Sequence, residues 1–126
     1  MSAPRRDGFT LISVIIAITL LSVGVMALAG AQFTAVRQTR LELQRTQAIQ
    51  LVSAYAEEIR SRNPWTLTNE GPVSVDSTGA VNPAGRYTRR VVVTDEGTQL
   101  LRAVITVQPR NAKVVRIETL IFKSGQ

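Results

Sequence analysis

Residues 8–33 read GFTLISVIIAITLLSVGVMALAGAQF, and this stretch decides the fold class of the chain. Leu, Ile, Val, Ala and Met dominate it, and no charged residue lies between Gly8 and Arg37. As a helix with a rise of ~1.5 Å per residue, the apolar positions 9–31 would span about 35 Å, enough to cross a hydrocarbon core of ~30 Å. The sequence therefore predicts a membrane-spanning helix near the N-terminus.

An ordinary secretory signal does not account for this segment. Such a signal has an apolar region of about 7–15 residues followed by small residues at the cleavage site, whereas here the run is longer and the glycine precedes it. A plain single-span anchor fits the length, and the positive-inside rule would keep Arg5 and Arg6 in the cytoplasm. This alternative, an anchored protein with a small extracytoplasmic binding domain, stays open but leaves the Gly8–Phe9 pair unexplained.

The composition offers few means for catalysis. The 126 residues include no cysteine and no histidine, which removes the usual thiol nucleophile, the commonest general base and the commonest metal ligand. The acidic residues are scattered, without a pair spaced for metal binding or glycoside chemistry. We therefore predict that the protein is not an enzyme and has no catalytic, metal or cofactor site. Its net charge of +6 comes from dispersed basic residues.

The boundary between charged and apolar residues resembles the processing motif of type IV prepilins. Gly8-Phe9-Thr10-Leu11-Ile12, after a short basic leader, carries the resemblance. It continues through 20–32 and reappears in 56–64, near the expected end of a pilin helix. The sequence is most similar to minor pilins of the PilV type, with minor pseudopilins of type II secretion as the second choice.

The resemblance implies how the chain is processed and where it resides. A prepilin peptidase would cut between Gly8 and Phe9 and methylate the new amino group of Phe9, so that residues 1–8 are a leader peptide. Glycine suits position 8 because a backbone without a side chain fits a tight groove. Segment 9–32 would first hold the subunit in the inner membrane, with the C-terminal domain in the periplasm or outside. It would then line the core of a filament made with other major and minor pilins or pseudopilins.

Ser13 departs from the family pattern. The family usually carries a glutamate at this position, thought to pair with the N-terminal amine of a neighbouring subunit, and an unpaired ammonium in an apolar core is costly. Ser13 accepts a hydrogen bond but neutralises no charge. Its hydroxyl either bonds back to a carbonyl one turn earlier or marks a special place in the filament, such as the tip. We therefore count Ser13 as an assembly residue.

The segment 33–63 predicts an amphipathic continuation of the same helix. An apolar stripe recurs at helical spacing and indicates a face that packs on a core; it comprises Leu41, Ala48, Val52, Tyr55 and Ile59. Glu58 and Arg62 have the i,i+4 spacing of a surface ion pair. Pro64 ends the helix, because the residue before proline avoids the α region.

A sheet follows a loop. Residues 64–85 have loop composition, with Trp65 expected to fill the core and 73–75 able to add a short strand. In segment 86–126, three runs rich in β-branched residues, separated by short turns, predict an antiparallel meander. The fold class is therefore α+β, a long N-terminal helix on a three- to four-stranded antiparallel sheet. This is also the pilin fold that the resemblance implies.

Three arginines of the predicted sheet raise the question of a basic face. If Arg90, Arg102 and Arg116 share one face, it could meet nucleic acid, acidic subunits or water. Aromatic residues that could stack on bases are scarce here, so nucleic acid is the less favoured partner. The leading hypothesis is thus a minor pilin or pseudopilin, with a DNA-uptake pilin as another alternative. The sequence leaves open whether the filament serves adhesion, motility, secretion or DNA uptake.

Overall fold

A computed structural model describes Gly8 and residues 10–124. Internal contacts divide the chain between Thr39 and Arg40, so each unit is described by itself. Helix α1, Leu11–Ser61, supplies residues to both units. The described apolar residues of α1 up to Ala31 are all exposed. The helical form of this part was predictable from the length and apolar composition of the run.

The second unit contains the rest of α1 and all the strands. After the helix come a short 3₁₀ turn and four strands: η1, Pro64–Thr66; β1, Glu70–Val75; β2, Tyr87–Asp95; β3, Leu100–Pro109; and β4, Val115–Phe122. The sheet has the order β1-β2-β3-β4, and every neighbouring pair is antiparallel. The structure confirms the predicted α+β architecture, with the fourth strand formed by residues that include 73–75.

Side chains alternate between the two faces of the sheet along each strand, and one face forms the core. The odd-numbered residues of β2, β3 and β4 face α1, and among them Val91, Ile105 and Val107 are almost fully buried. From the helix side, the buried side chains are Ala48, Val52, Tyr55, Ala56 and Ile59. A face of α1 and one face of the sheet thus exclude water from a single layer between them.

Proline ends the helix as its position predicts. Helix α1 stops at Ser61, and Asn63 adopts an extended backbone before Pro64. The Asn63 side chain accepts a hydrogen bond of 3.0 Å from the Trp65 N–H, which caps the 3₁₀ turn. The chain therefore leaves the helix in a defined direction and enters β1 within a few residues.

Three expectations require correction. Leu41 of the predicted stripe is 39% exposed, because the fully buried face of α1 begins only at Ala48. Trp65 is 52% exposed and does not fill the core; its ring lies 5.3 Å from the Lys123 ammonium. The range 64–85 is not only loop, since it contains η1 and β1.

Candidate functional site

The first candidate surface is the apolar half of α1. None of its most apolar 18-residue window is buried by the described residues. Among the described residues, this is the one helix long and apolar enough to cross a membrane. Leu11, Ile12 and Met26 are each more than two-thirds exposed. So much apolar surface requires a cover of lipid or of other protein chains.

The hydroxyl groups along this surface bond to their own backbone. The Thr19 hydroxyl donates to the Ile15 carbonyl at 2.8 Å, and the Ser22 hydroxyl donates to the Ile18 carbonyl at 2.8 Å. Thr34 does the same with the Gly30 carbonyl at 3.1 Å. These donors need no water, which suits a helix that is covered by apolar groups.

Ser13 behaves differently from those residues. The hydroxyl oxygens of Thr10 and Ser13 lie 2.8 Å apart, and the Ser13 N–H donates to the Thr10 hydroxyl at 3.3 Å. Thr10 therefore caps the helix, and Ser13 completes a pair of hydroxyls in its first turn. No acidic residue occurs in that turn. The pair offers hydrogen bonds to a neighbour but no negative charge.

The predicted processing residues, Gly8 and Phe9, lie at the edge of the described region. Gly8 is exposed and lies outside α1, and a Cβ at this position would meet nothing within 4 Å. Phe9 and residues 1–7 of the predicted leader peptide lie outside the described residues. The two helical glycines, Gly24 and Gly30, also have open space around them, and α1 continues unbroken through both.

The second candidate surface is the outer face of the sheet, turned away from α1. Arg90, Arg102 and Arg116 all lie on it. Thr106 of β3 faces Arg90 on one side and Arg116 on the other, which sets the two arginines two strand spacings apart, about 10 Å. Together with neighbouring threonines and valines, these arginines line a shallow groove.

Arg90, Arg102 and Arg116 differ in how far acidic side chains compensate their charges. Arg102 contacts Glu96 at 2.7 Å and Glu118 at 2.5 Å, so its charge is compensated. Arg116 lies 3.9 Å from Glu118, and Arg90 has no ion pair among the described residues. The face therefore carries mixed charge rather than a continuous basic patch.

A polar cluster that sequence reasoning missed joins the end of α1 to the sheet. The Glu70 carboxylate accepts hydrogen bonds from the Tyr55 hydroxyl at 2.5 Å and from Arg62 at 2.7 Å. The Arg89 guanidinium stacks 3.6 Å from the centre of the Tyr55 ring. The predicted Glu58–Arg62 pair is present at 2.5 Å and adds to the cluster. No local spacing links Glu70 to the helix, so no sequence signal could have found it.

The environment of this cluster shifts the pKa values of Glu70 and Tyr55. Burial by itself would raise the pKa of Glu70, but the hydrogen bonds from Tyr55 and Arg62 outweigh it and hold that pKa below the ordinary 4.5. Burial and then the bond to Glu70 raise the pKa of Tyr55 above its ordinary value. Glu70 is thus a charged acceptor that fixes the first residue of β1 against the helix.

Within the described residues, no group of three or more acidic side chains is placed to hold a metal ion. The groove beside the Tyr55 ring is lined by Leu51, Val75 and other groups that already serve the core or the polar cluster. The two surfaces are therefore suited to contacts with lipids or proteins, and the arrangement offers no reactive centre among these residues.

The comparisons with known proteins agree with this description. Residues 4–29 match the family model of the prokaryotic N-terminal methylation motif. This motif is the signature of type IV pilins and pseudopilins and indicates prepilin processing. No curated protein and no solved structure gave a match to the chain. The matched range includes the charged positions 5–7, the Gly8-Phe9 pair and most of the apolar part of α1.

Proposed function

We propose that the chain is a minor pilin or pseudopilin, a structural subunit of a type IV pilus or a type II secretion-like filament. A prepilin peptidase cleaves it after Gly8 and methylates the amino group of Phe9. The methylation motif over residues 4–29 carries this proposal. The subunit begins as a single-pass protein of the inner membrane, with its C-terminal domain in the periplasm or outside, and then joins other pilins.

Such a subunit works by moving one apolar helix from the lipid bilayer into the filament. The apolar half of α1 has no cover within the chain, so lipid covers it before assembly and neighbouring helices cover it afterwards. The back-bonded hydroxyls of Thr19 and Ser22 support both environments, since neither leaves a donor unsatisfied. Gly24 and Gly30 leave room for another helix to approach closely.

The hydroxyl pair of Thr10 and Ser13 supports a special position in the filament. If the charged amine of a neighbouring subunit lies beside the first turn of α1, the hydroxyl oxygens of Thr10 and Ser13 can accept its hydrogen bonds. The first turn has no carboxylate to neutralise the charge of that amine. That arrangement suits the tip, where no amine has to be matched, or a complex in which another subunit supplies the negative charge.

The alternatives draw less support from the described surfaces. A DNA-uptake pilin would use the outer face of the sheet, but Glu96 and Glu118 compensate Arg102 at its centre. A plain single-span binding protein would need a recognisable ligand site. The groove on the described sheet face is open, and its central Arg102 is already paired with Glu96 and Glu118.

The first test is the intact mass and N-terminal sequence of the protein recovered from membranes of its native host. A chain that begins with methylated Phe9 is the expected result. A chain that retains residues 1–8 in cells with an active prepilin peptidase would reject the proposal in favour of the single-span binding protein.

A further inference from the structure

Four cations gather at one end of the second unit. Arg86 directly precedes β2, Arg110 directly follows β3, and Lys113 lies in the turn before β4. The antiparallel order brings these three positions to the same end of the sheet, where the Arg110 N–H donates to the Arg86 carbonyl at 2.9 Å. Arg45 of α1 lines the same groove as Arg110 and Lys113. We call these four residues the basic collar.

The charges of the basic collar are available to a partner. All four residues are exposed, and none forms an ion pair with another described residue. Glu42 is the one acid that lines their groove. Asp76 lies near Arg86, but its carboxylate accepts hydrogen bonds from Thr78 and Ala80. The collar therefore keeps an excess of positive charge.

Apolar surface lies among these cations. The groove of about 430 Å³ that Arg45, Arg110 and Lys113 line also exposes Leu41 and Ala112. Val114, next to Lys113, is half exposed. A basic surface with apolar side chains between its charges is typical of a protein face that lies in a membrane interface.

Chain connectivity limits how far Arg40, the first residue of the second unit, can lie from a membrane that holds the apolar run. The apolar run of α1 ends at Ala31, and the nine residues from there to Arg40 cover about 14 Å as a helix and at most about 30 Å in any conformation. Arg45 is one and a half turns further along α1. This tether sets an upper limit on the distance between the collar and the headgroups, and long arginine and lysine side chains extend the reach of the charges.

We propose that the basic collar binds the anionic phospholipid headgroups of the membrane that holds α1. The contact positions the C-terminal unit on the membrane surface before the subunit enters a filament, and it is lost when the helix leaves the lipid. The proposal needs the membrane-spanning helix but not the filament function. The exposed apolar groups and the short tether favour lipid over nucleic acid as the ligand.

The test uses the full chain in lipid vesicles. Because the protein has no cysteine, Asn111→Cys gives a single fluorophore site beside the collar, and Thr98→Cys gives a matched site in the turn at the opposite end of the sheet. Quenching by headgroup-attached nitroxide lipid is compared in phosphatidylcholine vesicles with and without phosphatidylglycerol. We expect anionic lipid to increase quenching at position 111 alone, and salt at about 1 M, with a Debye length of about 3 Å, to reverse it.

Charge variants identify the residues that bind. The double variant R110Q/K113Q should weaken the docking equilibrium roughly 25-fold, since each cation at an anionic surface contributes roughly fivefold. The double variant R90Q/R116Q removes the same charge from the outer face of the sheet and should leave docking unchanged. Equal quenching in both lipids, or equal effects of the two double variants, would overturn the proposal. So would a response of the Asn111 label to duplex DNA but not to phosphatidylglycerol.

Discussion

The Tyr55 hydroxyl donates a 2.5 Å hydrogen bond to the Glu70 carboxylate, which joins the last turns of α1 to the first residue of β1. Tyr55 is buried, and the Glu70 side chain is 27% exposed. Strand β1 lies at the edge of the sheet and is held by β2 on one side only. The bond therefore secures an edge strand that pairs with only one other strand.

Replacement of Glu70 should loosen this junction. Glu70→Gln keeps the size of the side chain but removes the charge that Arg62 and Arg89 contact, and we expect a loss of about 1–3 kcal/mol in the free energy of unfolding. Glu57→Gln is the control, because its pair with Arg60 is exposed and should contribute less than about 1 kcal/mol. Thermal unfolding of the full chain in detergent, followed by near-ultraviolet circular dichroism, measures both. Equal losses would show that Glu70 has no special role.

Acid should destabilise the fold through the same carboxylate. The pKa of Glu70 is lowered in the folded state, so its contribution is present above the unfolded value near 4.5 and is lost as the pH falls through the lower folded pKa. The melting temperature should therefore drop below about pH 4.5. Glu70→Gln should flatten this drop without abolishing it, because the hydrogen bond from Lys123 also lowers the pKa of Asp95. An unchanged pH profile in the variant would contradict the assignment.

Gly85 should tolerate no side chain. A Cβ there would lie 2.2 Å from the Val75 carbonyl oxygen and 2.9 Å from the Asn82 carbonyl oxygen, and backbone atoms cannot rotate away. We expect Gly85→Ala to cost more than about 2 kcal/mol of unfolding free energy. Gly71→Ala is the matched control, since its Cβ would enter open space and should change stability by less than about 0.5 kcal/mol. Denaturant titration of both variants makes the comparison, and a mild Gly85→Ala would show that the β1–β2 loop can shift.

Processing should depend on the size of the residue at position 8. If the peptidase groove accepts only a bare backbone, Gly8→Ala should slow cleavage mildly, and Gly8→Ser or a larger residue should block it. Immunoblots of cells that express the variants separate precursor from mature chain by mass. Gly24→Ala is a suitable control, because it places one methyl group in open space within the helix. Full cleavage of a bulky variant at position 8 would count against prepilin processing.

A glutamate at position 13 should change filament entry. Ser13→Glu would replace the neutral hydroxyl pair with Thr10 by a carboxylate that can match the amine of a neighbouring subunit. We expect a several-fold change in the amount of this chain in sheared filaments relative to the membrane pool. Ser13→Ala, which adds no charge, separates the effect of the carboxylate from that of the lost hydroxyl. Equal incorporation of all three proteins would remove the argument for a special position.

Local signals explain which elements the sequence could predict. The helix was predictable because each of its signals is local in the sequence. These signals are the apolar run, its amphipathic continuation and Pro64. The strands around 91 and 105 were predictable because side chains alternate between the two faces of a sheet. The burial of Leu41 and Trp65 was predicted wrongly, because burial depends on where the sheet ends and what lies beneath a turn.

The sequence by itself determined the apolar helix, its end before Pro64 and an antiparallel sheet of three to four strands, because length, hydropathy and turn composition are local properties. It also predicts the processing boundary at Gly8. Only the tertiary structure decided that Glu70 meets Tyr55 and Arg62 and that acidic neighbours compensate Arg102. It also gathered Arg45, Arg86, Arg110 and Lys113 at one end of the sheet. These groups are far apart along the chain, so their contacts exist only once strand register and helix packing are fixed.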